Sequence, residues 1–215
     1  LDRTSVRDLH AIRSLLSTQL VDLPAPGVLC KEYNDFIPAI PNIDKWFSIT
    51  PRGELAAIRS CIVKMESEKA RDIASLALSR IILPVSFQDS ETRYSSKPRD
   101  IPQGETFKRF LVALDDIIRN VIRTQAALRY GVCDFVTEDT RVLGQGTRKL
   151  DSVDLIVTSP PYGNANDYHL YHRFRLLWLG YDPRQLGKIE VGSHLRHQKE
   201  SSGFGSYMAE MEQCL

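Results

Sequence analysis

Ser159-Pro160-Pro161-Tyr162 is the stretch of this chain whose residue types and order best suit chemistry. Each proline fixes φ at about −65° and removes a backbone N–H. Pro160 also pushes Ser159 into an extended conformation. The segment therefore reads as a stiff shelf of carbonyl acceptors, with a hydroxyl on one side and an aromatic ring on the other. A carbonyl with no competing N–H beside it accepts well from an exocyclic amine, and a serine hydroxyl can accept from the same amine. A tyrosine ring can stack on a flat heterocycle. The amine of cytosine or adenine is a poor nucleophile, because its lone pair is delocalised into the ring. Acceptors that draw its hydrogens out of plane free the lone pair for attack. Catalysis of this kind works by preorganised geometry and electrostatics and needs no covalent enzyme intermediate. A proline-stiffened turn without chemistry would have the same local sequence.

The run Asp154-Leu155-Ile156-Val157-Thr158-Ser159-Pro160-Pro161-Tyr162 resembles the catalytic motif of the amino-group DNA methyltransferases. That motif is Asp, Asn or Ser, then Pro-Pro, then an aromatic residue, preceded by an apolar strand. The continuation Gly163-Asn164-Ala165-Asn166-Asp167-Tyr168 and the helix ending Leu176-Leu177-Trp178-Leu179-Gly180 extend the likeness over residues 151 to 180.

The resemblance implies transfer of a methyl group from S-adenosylmethionine to the amine of a base flipped out of double-stranded DNA. Serine in the first motif position leans toward cytosine N4 over adenine N6. The implied catalytic group is Ser159, Pro160, Pro161 and Tyr162, with Tyr162 stacking on the base and Ser159 and the Pro160 carbonyl orienting its amine. Thr158 and Asp139 are the implied cofactor contacts. Asp139 matches an acidic residue that meets the cofactor's adenine amine in the family, and reads equally as a loop carboxylate or a helix cap. Asn164, Asn166 and Tyr168 follow the shelf and are candidates for contact with the flipped base or DNA. Gly163 and the two asparagines are equally suited to a plain turn. Such enzymes commonly belong to restriction–modification systems.

Two basic groupings are candidates for DNA contact. Arg93, Lys97 and Arg99, with Tyr94, suit phosphate contact and stacking, or a solvated loop. Arg184, Lys188, Arg196 and Lys199 lie with His194 and His197 after the catalytic helix. His169 and His172 are spaced like ligands, but no zinc-like set accompanies them, so no metal is expected. The glycines of Leu143-Gly144-Gln145-Gly146 and Gly203-Phe204-Gly205 read as flexible loops. The glycine-rich cofactor loop is therefore expected on a missing segment or a second chain. The rival reading is a catalytically incomplete methyltransferase-like module used for DNA binding or subunit assembly.

Elements to hold these groups follow from periodicity. Apolar residues at helical spacing predict helices over 4–20, 51–66, 68–83, 105–130, 166–179 and 206–215. Pro51 opens one helix, Pro84 closes another, and Gly131 caps the long one. Residues 21–50, with prolines at 24, 26, 38 and 41, read as a linker pinned by Trp46 and Phe47, and 85–103 and 181–205 read as loops. Strands are expected at 132–137 and 153–158. The expected fold class is α/β, a partial Rossmann-like methyltransferase sheet at 131–215, carrying the site at its strand ends. A mainly helical region at 1–130 is expected to recognise DNA or buttress the sheet.

Composition is that of a globular protein, with 42% hydrophobic and 26% charged residues. The net charge of +1, from 28 basic against 27 acidic residues, leaves DNA binding to local patches. No run is long enough for a membrane span and no secretory signal is visible. Cys30, Cys61, Cys133 and Cys214 are scattered and read as structural thiols in the cytoplasm. A start at Leu1 and an end soon after a helix-like stretch suggest part of a longer protein.

Overall fold

Asp2 opens the first helix, α1 (Arg3–Val21), by accepting from the Ser5 backbone N–H at 2.8 Å. The computed structural model describes residues 1–25, 27–90, 93–127, 136, 139–142, 154–159, 167–193 and 203–214. The chain forms two compact units. One is Leu1–Tyr130 with Arg173–Tyr181, and the other is Gly131–His172 with Asp182–Leu215.

The first unit is built on α3 (Ile49–Val63), most of whose residues are buried. Leu55, Ala56, Ala57, Ile58 and Ile62 are in the core. Around it lie α1, the short α2 (Val28–Glu32), α4 (Glu68–Ile82) and α5 (Glu105–Ala127), and α7 (Arg173–Leu179) packs on α4. Gly53 lets α2 come close, since a Cβ there would lie 2.9 Å from the Cys30 nitrogen and from Leu29 Cβ. Alanines 70, 74 and 77 give α4 a narrow face against its neighbours, while α5 contributes Phe107, Phe110 and Leu114. The starts of α1 and α4 are tied by polar contacts. Asp8 Oδ2 accepts from the Ser67 N–H at 2.8 Å, and the Ser5 and Ser67 hydroxyls are 2.7 Å apart.

Glu54 on α3 performs a different capping task. Its carboxylate, 1% exposed, accepts from the Gly104 N–H at 2.6 Å and the Thr106 N–H at 3.0 Å. These are amide donors at the start of α5, left without partners by the helix itself. Gly104 takes φ +81° in the turn before it, a conformation that suits glycine.

Trp46 and Phe47 anchor the linker as expected. Phe174 of α7 meets them at ring-centroid distances of 5.0 and 5.4 Å, and Trp178 lies 5.7 Å from Phe47. The Arg173 guanidinium sits 4.7 Å above the Trp46 ring. α7 is held further where Arg175 Nε donates to the Ser79 carbonyl at 3.1 Å.

The second unit contains α6 (Tyr168–Tyr171), α8 (Pro183–Ile189) and α9 (Gly203–Cys214). Pro183 occupies the first turn of α8, and Asp182 caps it by accepting from the Arg184 N–H at 3.0 Å.

The expected α/β fold with a Rossmann-like sheet is corrected. The described residues contain nine α-helices and a single two-stranded antiparallel sheet, β1 (Gln88–Ser90) with β2 (Arg93–Ser96). That hairpin falls in a stretch read as loop. Asp154–Ser159, read as a buried strand and its exit, has no ladder partner among the described residues. Its Leu155, Ile156 and Val157 are 78%, 78% and 86% exposed. An apolar run favours a strand only where a neighbouring pleat can bury it and complete its hydrogen bonds, and the run itself does not encode that neighbour. Of the other expected strand only Val136 is described, and it is not in a strand.

The helices largely follow the periodicity, but α2 falls within the 21–50 stretch read as a linker, and three further changes stand out. The expected helix over 166–179 is broken at His172 into α6 and α7. The 181–205 loop contains α8, and Gly203 and Gly205 lie in the first turn of α9 rather than in a loop.

Candidate functional site

Thr158 and Ser159 are fully described and exposed, so the Ser159 hydroxyl stands open at the entrance to the Pro-Pro segment. Pro160, Pro161, Tyr162, Asn164 and Asn166 lie outside the described residues. The chain is next described at Asp167, and there it is held firmly.

Four side chains meet at this point, from the start of α6 and the segment after α8. Glu190 Oε1 accepts from the Tyr168 N–H at 2.5 Å. Glu190 Oε2 accepts from His169 Nδ1 at 2.5 Å and from the His169 N–H at 3.4 Å. The Ser193 hydroxyl donates to Asp167 Oδ1 at 2.7 Å. Asp167, Glu190 and Ser193 are all buried. The His169 ring lies close against α8 at Gly187, where a Cβ would come within 2.9 Å of it.

Asp167, His169 and Glu190 also place ligand atoms within 4.8 Å of one another, the one such group among the described residues. The spacing is that of a cation site. The oxygens are, however, already accepting N–H and O–H groups, so the arrangement is a hydrogen-bonded clamp. Sequence reasoning passed over Glu190 and Ser193. A carboxylate about twenty residues from its partner has no local signature, and the helix that precedes Glu190 lies in a stretch read as loop.

Asp139 is engaged by Arg141. Arg141 Nε lies 2.9 and 3.1 Å from the two carboxylate oxygens, its NH2 group 2.6 Å from one of them, and its N–H donates at 3.0 Å. Those side-chain and backbone hydrogen bonds hold the Asp139 carboxyl down to about 2. Arg141 itself reaches the Ile189 carbonyl at 3.2 Å and Glu210 at 3.7 Å. Both carboxylate oxygens of Asp139 thus already accept from Arg141, and an incoming adenine amine would compete with it for them. Among the described residues no cradle for a nucleotide cofactor is assembled around it.

The candidate DNA contacts are separated. Arg93 pairs with Ser90 across the hairpin. Lys97 is exposed beyond β2, its N–H donating to the Phe87 carbonyl at 2.6 Å. Arg99 donates to the Gln88 carbonyl at 2.7 Å. Tyr168 is partly exposed beside Tyr171, with ring centroids 6.5 Å apart. Arg184 is ion-paired with Asp182 at 3.1 Å. Gly144, Gly146, His194, Arg196, His197 and Lys199 lie outside the described residues.

The chain matches no known family model, no curated protein and no solved structure. No described helix is long and apolar enough to cross a membrane.

Proposed function

We propose that this chain carries the base-holding part of an S-adenosylmethionine-dependent DNA methyltransferase, acting on the exocyclic amine of a flipped-out base, with cytosine N4 favoured over adenine N6. The observation that carries the reading is the Ser159-Pro160-Pro161-Tyr162 quartet, entered through an exposed Ser159. Tyr162 stacks on the extruded base. The Ser159 hydroxyl and the Pro160 carbonyl accept from its amine and turn the nitrogen lone pair toward the donor. S-adenosylmethionine supplies the methyl group when bound. The nearby Thr158 hydroxyl and the basic residues Arg93 and Lys97 are assigned to cofactor and DNA contact respectively, and the cytoplasm is the expected compartment.

The test is methyl transfer by the full chain from tritiated S-adenosylmethionine to unmethylated duplex DNA, followed by nucleoside analysis. Label in N4-methylcytosine is the expected result. Label in N6-methyladenine reverses the base preference, and no label in either overturns the reading.

One observation favours a second reading. Both carboxylate oxygens of Asp139 are engaged by Arg141, which suits a methyltransferase-like module that binds DNA or assembles with a partner without binding cofactor itself. Calorimetry separates the two. DNA binding with no heat from S-adenosylmethionine selects the module, and cofactor binding selects the enzyme.

A further inference from the structure

We infer that the first unit grips the sugar-phosphate backbone of duplex DNA, with Lys45 and Lys97 each taking a phosphate at one basic edge. The inference rests on the DNA-acting reading and deepens it, by assigning the backbone contact to one unit and adding Lys45 to it.

The first observation is a division of charge. The net +1 of the chain is the remainder of two opposed totals. Leu1–Tyr130 with Arg173–Tyr181 carries 21 Lys and Arg against 16 Asp and Glu, a net of +5. Gly131–His172 with Asp182–Leu215 carries 7 against 11, a net of −4. A polyanion is drawn to the first unit and repelled by the second.

Charge alone does not locate the contact, because much of it is neutralised within the unit. Arg7, Arg13, Arg80 and Arg119 all face carboxylates. Lys45 and Lys97 are exposed, and neither is ion-paired among the described residues. The backbone brings them to one edge. The Phe87 N–H donates to the Trp46 carbonyl at 2.7 Å, and the Lys97 N–H donates to the Phe87 carbonyl at 2.6 Å. The Ser96 hydroxyl donates to the Lys45 carbonyl at 2.6 Å. Asp44, the acid beside Lys45 in sequence, is turned to Arg52 at 2.7 Å.

Lys45 is also held in place. Its ammonium lies 5.2 Å from the centroid of the Trp46 ring, and the Arg173 guanidinium lies 4.7 Å from the same centroid. Trp46 is 3% exposed, so the ring is a fixed support. A cation already held over a ring loses less side-chain freedom on meeting a phosphate than a loose lysine does. Two like charges beside one ring also repel, and an anion against them relieves that repulsion.

The test is binding of a fluorescent duplex DNA by the full chain, followed by anisotropy over a range of KCl concentrations. Lys45→Gln and Lys97→Gln should each weaken binding by about 3- to 10-fold near 0.1 M salt and lower the slope of log affinity against log salt by about 0.9. The losses should be equal on duplexes of unrelated sequence, the mark of a backbone contact. Lys45→Arg should keep the slope. Lys108→Gln removes the same charge from an exposed position on α5 and should leave the slope unchanged. An equal effect of Lys108→Gln, an unchanged slope in Lys45→Gln, or a wild-type chain that does not bind DNA overturns the inference. Lysine-dependent binding without methyl transfer would sink the methyltransferase reading and leave this surface standing. Methyl transfer with a slope indifferent to both lysines would do the reverse.

Discussion

Tyr162 and Asp139 can each be tested alone, with readouts that separate them. If Tyr162 only stacks on the target base, Tyr162→Ala lowers methyl transfer by about 100-fold or more and leaves cofactor affinity nearly unchanged, because transition-state positioning is lost and ground-state binding of the donor is not. Radiolabel transfer and calorimetry on the same protein check both halves, and equal losses would make Tyr162 structural. For Asp139 the quantity is its titration. Its carboxyl is held at about 2 in the folded chain against 3.8 ordinarily, chiefly by the Arg141 side chain. A carboxyl lowered by folding stabilises the fold above its unfolded value, and that contribution is lost as the pH falls from 3.8 through about 2. Arg141→Gln should raise the Asp139 midpoint toward the ordinary value, as followed by carbon NMR.

At the scale of the element, Glu54 and α7 dominate. Glu54→Ala leaves buried amides at the start of α5 without an acceptor and should destabilise the first unit by about 2–3 kcal/mol in urea unfolding. Burial raises the Glu54 carboxyl above 4.5, against the lowering by its hydrogen bonds. The folded chain therefore binds more protons than the unfolded chain just above that value, and this group's contribution to stability declines as pH rises there. Glu54→Gln should remove that slope. Phe174→Ala should cost about 3–5 kcal/mol by emptying the space between Trp46 and Phe47. The helices were legible because Leu9, Ile12 and Leu16, or Phe107, Phe110 and Leu114, recur at helical spacing. Trp46 and Phe47 were legible as anchors, but the ring they grip was not, since spacing names an apolar face and not what meets it. The β1–β2 hairpin escaped notice because Gln-Asp-Ser and Arg-Tyr-Ser-Ser show no alternation. Leu155-Ile156-Val157 had the composition of a strand, which expresses a preference for neighbours without supplying them. At the site, the shelf was readable as a string of residues. The Glu190 clamp depends on folding distant segments together and was not.

On the scale of the whole molecule, the chain does not divide at one point. It leaves the second unit after His172, contributes Arg173–Tyr181 to the first, and returns at Asp182. A fragment ending at residue 130 would lack Phe174 and Trp178, both buried in the first unit. Its denaturant midpoint should fall below that of the full chain by at least the effect of Phe174→Ala. Adding a peptide spanning 173–181 should recover part of the difference.

This crossing also sets an order in time. Domains made early in synthesis commonly fold while the remainder is still being translated. The first 130 residues emerge with their helices encoded but with the aromatic clasp of Trp46 and Phe47 unfilled. Until residues 173–181 have left the ribosome, Phe174 and Trp178 are not available to pack on those rings. The residues completing the first unit are thus made only after the Ser-Pro-Pro-Tyr segment has been synthesised.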